Sequence, residues 1–210
     1  MANTSRINGF RPVRYLGGAP WNGQANLYVH SADDATALHV GDLVIQGANS
    51  TKGYQAVTRA TSGTAGALIG VVTGIEPPIG NHSTALAGTA LDLGEVYIAA
   101  SAERFVWVAD DPKIIFEAEF DAAGDMPDHT DVGLNYDFLT TAGNTTTGAS
   151  GMTIDSSSEV TTAATPLKLV GLVRRPDNDI TDADDPLYQR GLVIINMHIF
   201  NGNDEGAVGV

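Results

Sequence analysis

The 210-residue sequence contains no cysteine. Thiol catalysis, thiolate metal sites and a disulfide framework are therefore excluded. A chain of this size can bury roughly 70% of its unfolded surface, so its core needs no covalent cross-links. The sequence also has no run of 18 apolar residues, and its first residues, MANTSRINGF, lack the apolar region of a secretory signal. We therefore expect neither a membrane span nor export by the usual route.

Basic residues are also scarce. Lys and Arg total 11 against 25 Asp and Glu, which gives a formal net charge of −14. This charge disfavours a nucleic-acid-binding surface, because phosphate contacts need clustered cations. Residues 1–32 hold three arginines and no acidic residue (+3), whereas the remainder holds 8 basic and 25 acidic residues (−17). The sequence therefore predicts a small basic N-terminal arm on an acidic body.

The usual catalytic motifs are missing as well. There is no G-x-S-x-G, no P-loop, no H-E-x-x-H and no G-x-G-x-x-G after a strand. Of the five scattered histidines, His198 lies in an apolar strand and is predicted to be a hydrogen-bonded core residue. His129, near Asp128 and Asp131, is the best candidate for an acid–base or metal cluster, although a solvated acidic turn is the simpler explanation. We predict no enzyme activity, no metal and no cofactor.

Two groups of carboxylates leave narrower alternatives open. One is an acidic cluster that offers oxygen ligands for Ca²⁺ but departs from the EF-hand spacing. The other is the pair Glu117 and Glu119, which lie two residues apart and resemble the paired carboxylates of a glycosidase. The ordinary explanation of that pair is the solvent-exposed face of an amphipathic strand. The acidic cluster comprises Asp177, Asp179, Asp182, Asp184 and Asp185.

Short strands and turns fill the rest of the chain. The strongest signal is residues 95–120, where a β-branched and aromatic run precedes Asp111-Pro112, the first two positions of a type I turn. Beyond the turn, apolar and carboxylate residues alternate with period two. We predict a β-hairpin with one buried face, with Trp107 and Phe116 as scaffold residues and Glu117 and Glu119 on a solvated face.

Further strands are predicted at 25–30, 43–46, 54–59, 68–73, 167–173 and 191–200, and one helical turn at 35–38. Gly70, inside its strand, indicates a bulge or a close backbone approach. The predicted fold is all-β: a single sandwich or barrel, jelly-roll-like, over residues 25–210. It carries an N-terminal arm at 1–24 and long loops at 140–158 and 176–190.

The arm mixes arginine and aromatic residues without a period, and two interpretations carry equal weight. It lies across its own domain, or it docks on a neighbouring subunit with arginines as anchors. The Thr/Gly-rich stretch 140–151 competes with the arm as a contact region. The candidate interface residues of the arm are Arg6, Phe10, Arg11, Arg14, Tyr15 and Trp21.

A family resemblance runs from about residue 9 to 198; three stretches carry it, and the terminal strand ending in Asn196-Met197-His198 is consistent with it. The three stretches are GFRPVRYLGGAPWNG, then VGDLVIQG with ALIGVVTGIEPP, and FVWVADDPKIIFEAEF with DVGLNYD. Together they resemble the small head cement (decoration) proteins of tailed bacteriophages. The resemblance implies a β-rich virion protein on the outer capsid surface that bridges neighbouring major capsid subunits after shell expansion. It implies no catalytic residues.

From this resemblance we expect the major capsid protein as partner, a dimer or trimer on the capsid lattice, and assembly in the host cytoplasm. Neither nucleic acid nor membrane is an expected partner. Deletion of residues 1–20 is expected to abolish capsid binding while the β-body stays folded.

Two other functional classes remain open. One is a carbohydrate- or receptor-binding domain with Trp21, Trp107 or Tyr54 as an exposed stacking platform. The other is a jelly-roll hydrolase or isomerase, which needs His and carboxylates converging in a pocket.

Overall fold

The computed structural model describes residues 3–50, 53–63, 67–76, 94–163, 165–180 and 187–201. Over these ranges the chain is all-β, as predicted, with no α-helix and hence no helix able to cross a membrane. A 3-10 turn, Ile199–Asn201, follows the last strand. The strands are β1 (Arg11–Tyr15), β2 (Asn26–His30), β3 (Leu43–Gln46), β4 (Val57–Arg59), β5 (Gly70–Ile75), β6 (Arg104–Ala109), β7 (Ile114–Glu119), β8 (Asn135–Tyr136), β9 (Phe138–Leu139), β10 (Thr153–Ile154), β11 (Leu167–Leu172) and β12 (Arg190–Ile195).

Two five-stranded antiparallel sheets form the body. Sheet I has the strand order β1-β7-β12-β11-β8, and sheet II has the order β2-β6-β5-β3-β4; β9 and β10 form a small third sheet. Sheet II curls on itself, because the Val29 N–H donates to the Gln55 carbonyl at 3.1 Å and Val29 forms a parallel bridge with Ala56. The fold therefore combines an open sheet with a nearly closed barrel.

Alternating side chains of sheet II divide the core into two clusters. Leu43, Val71 and Ala109 point towards sheet I and pack with Phe116 and other residues of that sheet. Their chain neighbours Val44, Val72 and Val108 point into the curl of sheet II and form the second cluster. Both clusters are almost entirely buried. Both faces of sheet II are therefore packed over part of its area.

The prediction of a β-hairpin at 95–120 is wrong. β6 pairs with β2 and β5 in sheet II, whereas β7 pairs with β1 and β12 in sheet I. The predicted turn does form: the Ile114 N–H donates to the Asp111 carbonyl at 3.1 Å, with Pro112 at the second position. It joins two sheets because each strand already has a partner on both edges, which leaves no edge free for β6 and β7 to pair with each other.

Two other segments also differ from the sequence prediction. The stretch 140–158, predicted as a long loop, contains β10, and Met152 and Ile154 are fully buried. Its few apolar residues are too widely spaced among Thr, Gly and Ser to indicate a strand. Residues 35–38 form no helical turn. Part of the predicted acidic loop, residues 181–186, and most of the polar stretch 79–94 lie outside the described residues.

Replacement of Gly70 by alanine is expected to destabilise the fold by about 1–3 kcal/mol, the usual cost of overpacking. A Cβ at Gly70 would lie 2.2 Å from the Ala109 carbonyl oxygen of β6, which is the close backbone approach predicted from the sequence. Urea denaturation measures the change. Gly17→Ala is the matched control, since a Cβ there meets nothing within 4 Å. Equal unfolding midpoints for the two variants would contradict the close approach.

Candidate functional site

The first described residues lie across sheet I. The Ser5 hydroxyl and the Arg6 N–H donate to the two carboxylate oxygens of Glu119, at 2.7 and 2.6 Å. Asn3 and Asp179 bond each other reciprocally: the Asn3 amide donates to the Asp179 carbonyl at 3.0 Å, and the Asp179 N–H donates to the Asn3 Oδ1 at 2.7 Å. Residues 3–6 are therefore anchored to their own body.

An ion-pair network lies on the same face of β7. Glu117 accepts two hydrogen bonds from Arg175, at 2.7 and 3.1 Å, and a third from Arg190 at 3.1 Å. The hydrogen bond to Glu117 is the main cause of the raised pKa of Arg175. Arg190 also lies 3.7 Å from Glu119, and its guanidinium donates to the Arg6 carbonyl at 2.8 Å.

The prediction that Glu117 and Glu119 lie on a solvated face is therefore wrong. Glu119 is only 4% exposed, because residues of the N-terminal segment cover it. Both carboxylates are held by arginine side chains or by donors of the N-terminal segment. The two groups therefore belong to ion pairs and hydrogen bonds that join β7 to the N-terminal segment, Arg175 and Arg190, in place of the open carboxylate pair that the glycosidase alternative assumes.

The six candidate interface residues separate into two groups. Phe10 is 1% exposed and belongs to the core between the sheets, and Tyr15 and Trp21 pack partly against that core. The Trp21 Nε1–H donates to the Gln24 carbonyl at 3.0 Å. The three aromatic residues thus serve the chain's own fold. Arg6 and Arg11 are exposed, and Arg14 is half-buried.

Arg11, Val13 and Leu16 form an exposed surface, the N-terminal edge. Val13 is 40% and Leu16 is 54% exposed. Their backbone is fixed, because β1 pairs with β7 and the chain then turns back so that the Trp21 N–H donates to the Val13 carbonyl at 3.2 Å. The edge therefore presents apolar and cationic side chains from β1 and the residue that follows it, on an acidic protein.

A cleft of about 480 Å³ borders the N-terminal edge. Arg11 and Trp21 line one side, and Thr147 and Gly148 line the other. The second side is rigidly placed, since the Val40 N–H donates to the Gly148 carbonyl at 2.9 Å. The two contact regions that compete in the sequence, the N-terminal arm and the stretch 140–151, thus meet at one cleft.

In the described part of the chain, no group of three His, Asp or Glu side chains is arranged around a cation position. Asp128 accepts hydrogen bonds from the Thr130 hydroxyl and N–H, which lower its pKa. Asp177 pairs with Arg6 at 3.3 Å and with Arg175 at 3.4 Å. Asp182, Asp184 and Asp185 of the Ca²⁺ alternative lie outside the described residues.

Trp107 is not a buried scaffold residue, contrary to the sequence prediction. It is 38% exposed on the outer face of the barrel, and its Nε1–H donates to the Glu76 carboxylate at 3.1 Å. Two residues earlier on the same strand, Phe105 contacts Tyr54 edge-to-face at 5.1 Å, and Tyr54 is 39% exposed. Tyr54, Phe105 and Trp107 form an aromatic strip across this face.

An open groove of about 610 Å³ begins at the Tyr54 end of the strip. Asp110 lines it and is held by neutral donors: the Asn26 amide lies 2.9 and 3.0 Å from its oxygens, and the Tyr28 hydroxyl lies 2.6 Å from Oδ2. Burial and Asp110 raise the pKa of Tyr28, so its hydroxyl stays a donor. Sequence analysis did not find this group, because Asp110 follows β6, far along the chain from Asn26 and Tyr28 on β2, and the three residues match no motif.

Comparison with protein-family models, with curated proteins and with solved structures found no match.

Proposed function

We propose that the protein is a structural virion protein that binds the outer surface of a phage capsid. It cements neighbouring major capsid subunits after shell expansion, as a homo-oligomer on the lattice. The observation that carries the proposal is the N-terminal edge, where β1 and the residue after it expose Arg11, Val13 and Leu16 on a protein with a net charge of −14.

The chemistry of this edge suits a protein partner. Protein interfaces combine apolar side chains with arginine, and the edge exposes Val13 and Leu16 together with Arg11. Because β1 is already ordered by β7, binding would not have to fix its backbone, which lowers the entropic cost of association. The adjacent cleft gives a neighbouring subunit a concave surface next to Arg11.

The mode of attachment differs from a loose arm. Repeated weak contacts on a lattice reach high avidity only when the geometry allows simultaneous engagement. A fixed edge meets that requirement better than a free segment, because the orientation of each contact is the same in every copy. The proposed cement is therefore a rigid body that docks through one edge strand.

Charge reversal and apolar loss at the edge are expected to weaken capsid binding at least tenfold. The variant is the triple substitution Arg11→Glu, Val13→Asp, Leu16→Asp, which leaves the backbone pairing of β1 in place and replaces side chains that are exposed. Co-sedimentation with expanded and immature capsids is the measurement. Wild-type protein should sediment with expanded shells in preference to immature ones.

Val132→Asp is the matched control, since Val132 is a 37% exposed apolar residue outside the N-terminal segment. It should bind expanded shells as wild type does. If the folded triple variant decorates expanded shells normally, the N-terminal edge is not the contact surface. If the wild type sediments with neither shell, the capsid proposal itself is wrong.

A further inference from the structure

We infer that the outer face of the barrel carries a second binding site, for a neutral oligosaccharide, formed by the aromatic strip and the Asp110 groove. The site is built from sheet II and uses none of the N-terminal edge residues. The inference does not depend on the capsid proposal, since it concerns different residues and a different ligand.

The aromatic strip supplies flat apolar surface that remains open to solvent. Tyr54 is 39% and Trp107 is 38% exposed, although each packs beside other residues of the face. Their orientations are fixed: Tyr54 by its edge-to-face contact with Phe105, and Trp107 by its hydrogen bond to Glu76. An aromatic ring with an apolar face and a fixed polar edge suits ligands that are apolar on one side and polar on the other, as a pyranose ring is.

The groove supplies the hydrogen-bonding partners that sugar hydroxyls need. Asp110 Oδ1 accepts one of the three bonds that hold the carboxylate, so it keeps an acceptor position. Asn26 and Gln55 add amide groups along the same wall. Leu27 also lines the groove and lies directly opposite Trp107 in the β2–β6 pairing, so groove and strip are continuous.

The charges of the site select among sugars. Asp110 and Asp111 line the groove, Glu76 lies beside Trp107, and no Lys or Arg is among the described residues that line the groove. Carboxylated or sulfated glycans would bring like charges together, which costs free energy. The carboxylate of Asp110 is already bound by two neutral donors, the Asn26 amide and the Tyr28 hydroxyl, so a cationic ligand is not needed to compensate it. A neutral hexose oligomer fits both conditions.

The test uses the full chain and a defined set of probes. The neutral probes are maltohexaose, cellohexaose and the hexamer of N-acetylglucosamine, and the anionic probes are hyaluronan and heparin hexasaccharides. Saturation-transfer NMR screens each probe, and titration followed by tryptophan fluorescence gives the affinity. We expect at least one neutral probe to bind and to change the tryptophan emission, and both anionic probes to bind at least tenfold more weakly.

Three variants locate the site. Trp107→Ala, Tyr54→Ala and Asp110→Asn are each expected to weaken binding at least tenfold, with NMR titration replacing fluorescence for the first. Val132→Ala, at an exposed apolar residue away from the strip, is the matched control and should bind like wild type. Tyr54→Phe keeps the ring and should retain most of the affinity, which separates loss of stacking from loss of fold.

Several outcomes would overturn the inference. Absence of binding by all three neutral probes at millimolar concentration is one, and retained affinity in folded Trp107→Ala and Asp110→Asn is another. A tetra-arginine peptide that binds wild type better than every sugar and is lost in Asp110→Asn would show that the groove takes a basic protein segment instead. The N-terminal triple variant should bind sugar as wild type does. The sugar-binding measurements can therefore be interpreted even if the capsid proposal fails.

Discussion

Deletion of residues 1–20 is expected to unfold the protein rather than to leave a stable body. The deletion removes Phe10, which is 1% exposed in the core between the sheets, and loss of a buried Phe side chain costs about 3–5 kcal/mol. It also removes β1, which exposes one edge of β7, and it takes the Ser5 and Arg6 donors from the buried Glu119. Together these losses approach the total stability of an ordinary domain, about 5–15 kcal/mol.

This expectation corrects the prediction that the body survives such a deletion. Circular dichroism and urea denaturation of the truncated chain measure the effect, with Phe10→Ala as the single-residue version. Ile7→Ala is the matched control, because Ile7 is 43% exposed and its truncation should change stability by less than about 0.5 kcal/mol. A truncated chain that unfolds cooperatively near the wild-type midpoint would show that the N-terminal segment is dispensable.

Acidification from pH 7 to pH 4 is expected to destabilise the protein by about 3 kcal/mol through His198 alone. Burial lowers the pKa of this fully buried side chain to about 4, partly opposed by Asp110 and Asp111. The Phe200 N–H donates to His198 Nδ1 at 3.1 Å, so that nitrogen carries no proton in the fold. One pKa unit corresponds to about 1.4 kcal/mol, and the unfolded value is near 6.5.

The direction of this stability change follows from the number of protons that the folded and the unfolded chain bind. Between pH 6.5 and about 4 the unfolded chain protonates His198 while the folded chain does not, so the free energy of unfolding falls as the pH falls. The stabilisation is therefore complete above pH 6.5 and lost below about pH 4.

Urea denaturation at several pH values measures this loss against two variants. His198→Asn keeps an acceptor near the Nδ1 position and should reduce the pH dependence of the free energy of unfolding between pH 6.5 and 4. His129→Asn changes an exposed histidine and should keep the wild-type slope. If wild type and His198→Asn lose stability in parallel, other groups cause the acid sensitivity.

Much of the fold could be predicted from local pattern. Period-two alternation and β-branched composition located β2, β3, β7 and β11 within two residues, and the β-turn at Asp111-Pro112 formed as expected. Gly70 was expected to mark a close backbone approach, and it does. These features depend on neighbouring residues, so a single sequence carries them.

The candidate sites could be predicted only in part. The basic character of the N-terminal segment was visible as three arginines without acidic neighbours. Its division into buried Phe10 and exposed Val13 was not, because both are apolar and the strand bulges between Pro12 and Arg14. The exposure of Trp107 was missed for a related reason: an aromatic residue in an apolar run gives no indication that its own face of the sheet is left uncovered.

By itself, then, the sequence determined an acidic, cysteine-free, all-β chain with a basic N-terminal segment, because composition and short-range periodicity set those properties. The tertiary structure decided which strands pair and which faces are covered. β6 and β7 follow each other in the chain yet lie in different sheets, and Glu119, predicted to be solvated, is buried beneath the N-terminal segment. Such outcomes depend on contacts between residues far apart in the chain, such as Ser5 and Glu119, and a local sequence pattern does not encode these contacts.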